Sequence, residues 1–247
     1  MRTALITDLH ANREAVEAVL AHARAHGAQR FALLGDFVGY GADPAWVVDT
    51  VRVLVQAGSI AVRGNHDEAA VRGAPPSTTA EAQRAIQWTV AQLEPSQLEF
   101  LASLPLTRVL GACLFVHANA WAPADWAYIE GQAEARRSLQ ATECRYTFCG
   151  HVHEPRLYHQ SAQGTLGVFT PTPGISIPVP SHRKWIAIPG SAGQPRDGNP
   201  AAGYALFDDE TETLRFERVP YDHASAAAKI RAAALPEQFA LRLESGS

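Results

Sequence analysis

Aspartate and histidine recur in this chain at short, repeated spacings: Asp8 with His10, Asp36, the run Asn65-His66-Asp67, His117, and His151 with His153. Carboxylate, amide oxygen and imidazole together suit divalent manganese, iron, nickel, cobalt or zinc better than calcium. Members of a pair two residues apart point to the same side of extended backbone, so each motif would deliver both groups in one direction. A carboxylate has two oxygens, and Asp36 can therefore bridge two ions. With two dications, two ligand aspartates and one hydroxide the formal charge is about +1, which suits an entering phosphate. Asn65 fits that count, because a neutral amide oxygen ligates without cancelling charge. A lone histidine or strand-end aspartate is more often structural than a ligand. Seven ligand-type side chains gathered at one place have no comparable packing explanation, since their unpaired charges would repel.

The elements that must position these groups are legible as short apolar runs. Residues 2–7, 31–34, 59–62, 113–116 and 146–149 read as strands, and each runs into one of the motifs at its carboxyl end. In open α/β sheets that edge is where ligands bind, so residues distant in sequence converge there. Gly35, Gly64 and Gly150 precede ligands, where glycine permits tight turns and close backbone approach. Helices are expected over residues 12–26, capped by Asn12 and stopped at Gly27, and over 44–57, 130–139 and 222–234. A Pro-Pro-Ser-Thr-Thr loop opens a helical insertion at about residues 74–103, in which Thr78 and Glu81 have capping-box spacing. A turn at Gly111 joins strands 107–110 and 113–116 as a hairpin, and strands are also expected at 164–169, 185–188, 203–207 and 213–218. Pro171, Pro173, Pro178 and Pro180 predict a surface loop or a sheet edge.

The 247 residues, 47% hydrophobic, suffice for one domain covering 1–247 with a sizeable core. A formal net charge of -4 gives no basic footprint for a stable nucleic-acid partner. Cys113, Cys144 and Cys149 are odd in number and lack paired metal spacing, which fits a reducing cytoplasm rather than a disulfide framework. No run approaches the ~20 apolar residues of a membrane span, and the short run at residues 4–6 is no signal-peptide core. Homo-oligomerisation is left open.

In order along the chain, Asp8-Leu9-His10, Gly35-Asp36, Gly64-Asn65-His66-Asp67, His117 and Gly150-His151-Val152-His153 resemble the five motifs of the calcineurin-like metallophosphoesterase superfamily. The resemblance covers roughly residues 1–210 and implies a four-layer α/β/β/α sandwich with two mixed β-sheets. It implies that Asp8, His10 and His153 hold one metal, that Asn65, His117 and His151 hold the other, and that Asp36 bridges both. His66 resembles the histidine that contacts substrate, with Asp67 as its partner; a solvated acid beside a turn is the alternative for Asp67. The segments around Gly35-Asp36-Phe37-Val38-Gly39-Tyr40 and Pro189-Gly190-Ser191-Ala192-Gly193-Gln194 resemble small prokaryotic phosphodiesterases related to diadenosine tetraphosphatases. Ser/Thr protein phosphatases carry an Asp-Arg pair where this chain has Gly39-Tyr40, so their phosphate clamp is missing.

The activity implied is phosphoester hydrolysis by a metal-bridging hydroxide, on a small phosphorylated substrate, a phosphodiester or nucleotide first. Phosphomonoester or dinucleoside polyphosphate hydrolysis is the alternative, and a non-catalytic scaffold on the same fold is the alternative of another class. Arg196 is a candidate substrate contact, against the plainer reading of an ion-pair partner. Trp88, Trp121, Trp126 and Tyr128 could line a base-stacking surface or pack a core. The insertion is expected to stand over one side of the cleft, with the Pro-rich stretch 170–182 walling the other.

Overall fold

The computed structural model describes residues 1–75 and 78–247. Pro76 and Ser77, part of the expected Pro-Pro-Ser-Thr-Thr loop, lie outside the described residues. In the amino-terminal half, β1 (Arg2–Ile6), β2 (Arg30–Leu33) and β3 (Ile60–Ala61) alternate with α1 (Arg13–Ala25), α2 (Pro44–Gln56) and α3 (Asn65–Arg72). Then follow α4 (Ala80–Ala91), α5 (Pro95–Ser103), the hairpin β4 (Thr107–Leu110) and β5 (Cys113–Val116), α6 (Gln132–Gln140) and β6 (Tyr146–Phe148). The remainder is β7 (Pro155–Gln160), β8 (Leu166–Phe169), β9 (Ser176–Pro178), β10 (Lys184–Pro189), β11 (Ala202–Asp208), β12 (Thr213–Val219), α7 (His223–Ala232) and α8 (Glu237–Ser245).

Among the described residues the strands form two mixed sheets, ordered β3-β2-β1-β11-β12-β9 and β4-β5-β6-β10-β7-β8. Each contains a run of three parallel strands, β3-β2-β1 in one and β5-β6-β10 in the other. The period of two along the strands decides which face packs where. Leu5, Ala32, Phe148, Trp185, Ala187 and Phe207 point inward and form the core between the sheets. Their neighbours Ala4, Ile6, Phe31 and Leu33 face outward onto α1 and α2. On the other sheet Ile186 and Ile188 face Ala135 and Leu139 of α6. The four-layer α/β/β/α sandwich is thus the consequence of strands that are apolar on both faces.

Asn12 caps α1 by accepting from Ala15 N at 3.1 Å, as expected. The cap of α4 is Thr79, which accepts from Ala82 N, one residue later than the Thr78 anticipated from spacing. α3 was not anticipated; Asn65, His66 and Asp67 sit on its first turn rather than on a strand end. β7, β9 and α8 were also not anticipated. The Pro-rich stretch supplies β9, which closes the edge of its sheet by pairing Ile177 with Leu214 of β12. An edge is the one place where missing N–H groups are tolerated. No helix among the described residues is long and apolar enough to cross a membrane.

Candidate metal centre

The loops after β1, β2, β5, β6 and β10 meet at one end of the two sheets, tied by backbone hydrogen bonds. Asp8 N donates to Gly35 O at 3.1 Å, His10 N to Asp36 O at 2.9 Å, Gly150 N to His117 O at 2.8 Å and Gly193 N to Asp8 O at 2.8 Å. The pairs Asp8/His10 and His151/His153 are not extended. Asp8 (φ 55°), His10 (φ 45°), Asp36 (φ 54°), His151 (φ 68°) and His153 (φ 66°) all occupy the left-handed region. That conformation is unfavourable for residues with a Cβ and persists only where the surroundings impose it, as functional sites do. Gly35 shows why glycine precedes Asp36 here. A Cβ on it would lie 2.7 Å from Gly64 N and 2.9 Å from His117 Nδ1.

Three groups of donor atoms converge: Asp8, His10 and His153; His10, Asp36 and His66; and Asp36, His117 and His151. Asp36 Oδ2 stands 3.3 Å from His117 Nε2 and 3.8 Å from His10 Nε2. On the His10 side, His10 Nε2 lies 3.1 Å from His153 Nε2, which is 3.4 Å from Asp8 Oδ1. On the other side, His117 Nε2 lies 3.1 Å from the Asn65 side-chain oxygen and 3.2 Å from His151 Nδ1.

The outer nitrogens of the four imidazoles identify what the inner ones are for. Nδ1 of His10 donates to Val38 O at 3.2 Å, that of His117 to Leu34 O at 2.7 Å, and that of His153 to Gln194 O at 2.7 Å. His151 is turned the other way, its Nε2 donating to Trp126 O at 2.8 Å. With those protons on carbonyls, neutral His10, His151 and His153 turn lone pairs toward the centre, and the inner nitrogen of His117 faces the Asp36 carboxylate at 3.3 Å. Burial lowers the proton affinity of His10 and His153 far below the usual histidine range and that of His151 to about 3. His10 Nε2 and His153 Nε2 face each other as acceptors at 3.1 Å beside the Asp8 carboxylate, an arrangement that is repulsive by itself and is resolved by a cation, so the donor set fits bound metal ions.

His117 and the aspartates carry the opposing electrostatics. Burial would lower His117, but the adjacent Asp36 and Asp8 carboxylates outweigh it and raise it to about 9. Burial likewise would raise Asp36, yet His117, His66 and His10 hold it well below the carboxylate range. Asp8 is pushed up to about 7 by burial, opposed by His117.

The expected pairing of Asp67 with His66 gives way to a different arrangement. Asp67 is fully buried and accepts from Asp36 N (2.9 Å), Phe37 N (2.8 Å), Val38 N (3.3 Å) and Gly64 N (2.9 Å). It pins the β2 loop to the start of α3, because a carboxylate with two oxygens can satisfy several N–H groups that a left-handed turn leaves unpaired. His66 instead packs against Tyr40 (ring centroids 4.5 Å apart) and edge-on to His10 (5.0 Å), with its backbone N–H donating to Asp36 Oδ1 at 2.8 Å.

Tyr40, unremarked from sequence except as the residue in place of an arginine, is a hub. Its ring meets His10 at 4.6 Å, Phe239 of α8 at 4.9 Å and the Arg196 guanidinium at 5.6 Å. Arg196 is anchored by Gln194 Oε1 at 2.8 Å, in the same loop whose Gln194 carbonyl orients His153. Of the four aromatics singled out, Trp88 packs beside α7 and α8, and Trp121 against the core by α6. Tyr128 stacks on His151 at 4.0 Å with the rings inclined by 14°, and Trp126 meets His117 edge-on at 6.0 Å. A cavity of 340 Å³ opens here, lined by Asn65, His66 and His151 on one side and by Trp126, Tyr128, Pro75, Thr78, Ala82 and Ile86 on the others. Thr78, Ala82 and Ile86, from the segment expected as a helical insertion, thus border the cavity together with Trp126 and Tyr128, and no residue of the Pro-rich stretch 170–182 lines it among the described residues.

Comparison with known proteins bears on this arrangement. A protein of Methanocaldococcus jannaschii, itself described as uncharacterized, is 34% identical over 245 residues, 97% of this chain and 96% of that one. The crystal structure of a metallophosphoesterase from Sphaerobacter thermophilus matches over the whole of both chains with a TM-score of 0.88 and 37% identity. A hypothetical protein of Pyrococcus horikoshii OT3 shares the fold, with a TM-score of 0.80 at 20% identity over 100% of this chain and 98% of that one. The family model for the calcineurin-like phosphoesterase superfamily domain matches residues 1–212, the stretch that supplies every one of the converging side chains. The chain accordingly belongs to the calcineurin-like phosphoesterase superfamily and is a metal-dependent hydrolase of phosphoric esters.

Proposed function

We propose that this protein is a binuclear-metal phosphodiesterase acting on small or nucleotide substrates. The observation that carries the reading is the pair of buried ligand-type half-sites meeting at Asp36, with Asp8, His10 and His153 toward one ion and Asn65, His117 and His151 toward the other. The donor set suits manganese, iron, zinc, nickel or cobalt. When bound, such ions supply Lewis acidity and a water of lowered pKa.

The chain's own residues do the rest. The carbonyls of Leu34, Val38, Trp126 and Gln194 hold the four imidazoles in the ligating tautomer. His66, which lines the cavity, protonates or stabilises the leaving oxygen. Arg196, tethered by Gln194 and resting over Tyr40, offers a positive charge to the phosphoryl oxygens where the protein-phosphatase arginine is missing. The whole chain acts as one cytoplasmic catalytic unit, with the helical insertion restricting access. A scaffold role is disfavoured because His66 and the complete donor set are present together.

The test is to strip the purified protein with chelator and reconstitute it with each candidate ion. It is then assayed on bis(4-nitrophenyl) phosphate, 4-nitrophenyl phosphate and diadenosine tetraphosphate. Two ions per chain and fastest turnover of the diester are expected. Two bound ions with no turnover of any ester would favour the scaffold, and faster monoester or tetraphosphate hydrolysis would reassign the substrate.

A further inference from the structure

We infer that the cavity between Tyr128 and the inner face of α4 is a subsite for a flat, uncharged ring of the substrate, a nucleobase or similar aryl group. This deepens the phosphodiesterase reading and rests on it for the position of the phosphate. Three features of the cavity point to this occupant. The first is continuity. Asn65, His66 and His151 line both the cavity and the metal cluster, so a group entering the cavity remains attached to a phosphate at the ions.

The second is shape and surface. Tyr128 has one side covered by the His151 imidazole at 4.0 Å and yet is 45% exposed, an aromatic surface left for a ligand to cover. Ile86 and Ala82 of α4 and Trp126 complete an apolar slot. Its 340 Å³ lies at the low end of the ~300–1,000 Å³ of small-molecule pockets, which suits one ring system and excludes a folded protein surface.

The third is charge. No lysine or arginine lines the cavity among the described residues. Its one carboxylate, Glu68, is already paired with Arg63 at 2.8 Å and Arg72 at 3.1 Å. A second phosphate placed here would have no cation to meet, and burying it unpaired is costly, so the slot takes the neutral part of the substrate.

Adenosine 5'-monophosphate and ribose 5-phosphate share sugar and phosphate and differ only in the base, so their affinities for the metal-loaded protein isolate the slot. Stacking on an aromatic side chain predicts at least about fivefold tighter binding of the adenine compound by equilibrium dialysis. Tyr128→Ala should bring the two affinities together, and Tyr128→Phe, which keeps the ring, should preserve the difference. Because Tyr128 touches His151, Ile86→Asp provides an independent perturbation from the opposite wall and should also erase the preference. Equal affinities in the unaltered protein, or a preference that survives both Tyr128→Ala and Ile86→Asp, would overturn the subsite. Turnover of bis(4-nitrophenyl) phosphate without base preference would sink the subsite alone. Base preference without any turnover would uphold it and sink the phosphodiesterase reading.

Discussion

Gly39 sits where two constraints meet, and replacing it with alanine tests whether His66 must be held in place. Its φ of +87° is in the left-handed region, and a Cβ there would stand 2.5 Å from His66 Nδ1 and 3.1 Å from Cγ. The backbone cost of a left-handed alanine is about 1–2 kcal/mol. For a chain of this size that corresponds to a Tm lower by about 2–8 °C. To regain a van der Waals separation of about 3.5 Å the imidazole must retreat by roughly 1 Å. The His66 backbone is tied to Asp36 Oδ1 at 2.8 Å, so the movement falls on the ring rather than on Asp36. Misplacing a catalytic group by that distance costs on the order of 10²-fold in rate. Gly39→Ala should therefore lower kcat on bis(4-nitrophenyl) phosphate by about a hundredfold, with metal content by elemental analysis unchanged. The double variant Gly39→Ala/His66→Ala removes the clash partner, so its activity should equal that of His66→Ala alone. Activity of Gly39→Ala within twofold of the unaltered protein would refute the reasoning, as would a double variant whose loss is the product of the two single losses.

Asp36→Asn should lose both bound metal and activity, whereas His66→Ala should lose activity and keep its metal; equal metal depletion in both would erase the distinction between bridging and substrate-facing roles. Asp67→Ala leaves four backbone N–H groups without their acceptor, so a destabilisation of several kcal/mol, at about 1–3 kcal/mol per buried unpaired group, should appear in denaturant melts together with weaker metal binding. Arg196→Ala should raise KM for diesters several-fold with intact metal content, and an unchanged KM and kcat would return Arg196 to a structural role. Phosphoserine on a folded protein should be dephosphorylated far more slowly than a small diester, and faster turnover of the protein would count against the narrow cleft lined by α4.

That the aspartates and histidines of the centre would converge was legible in the sequence. Asp8, His10, Asp36, Asn65, His117, His151 and His153 announced themselves because donor identity resides in side chains and because each motif follows a short apolar run. The layers were readable for the same reason, since Leu5 faces the other sheet while Ala4 and Ile6 face helices, a period of two that any strand obeys. Three things were decided only by the tertiary structure. The left-handed turns at Asp8 and His153 replaced the extended backbone expected from their spacing, because loops from both sheets hydrogen-bond to one another there. Asp67 became a clamp on the β2 loop rather than a partner of His66, because that loop turns its N–H groups toward it. The carbonyls that set each imidazole's tautomer, such as Gln194 O on His153 across 41 residues of chain, belong to the backbone. Every residue has such a carbonyl, so no residue type marks it, and its direction is settled only when distant loops pack against each other.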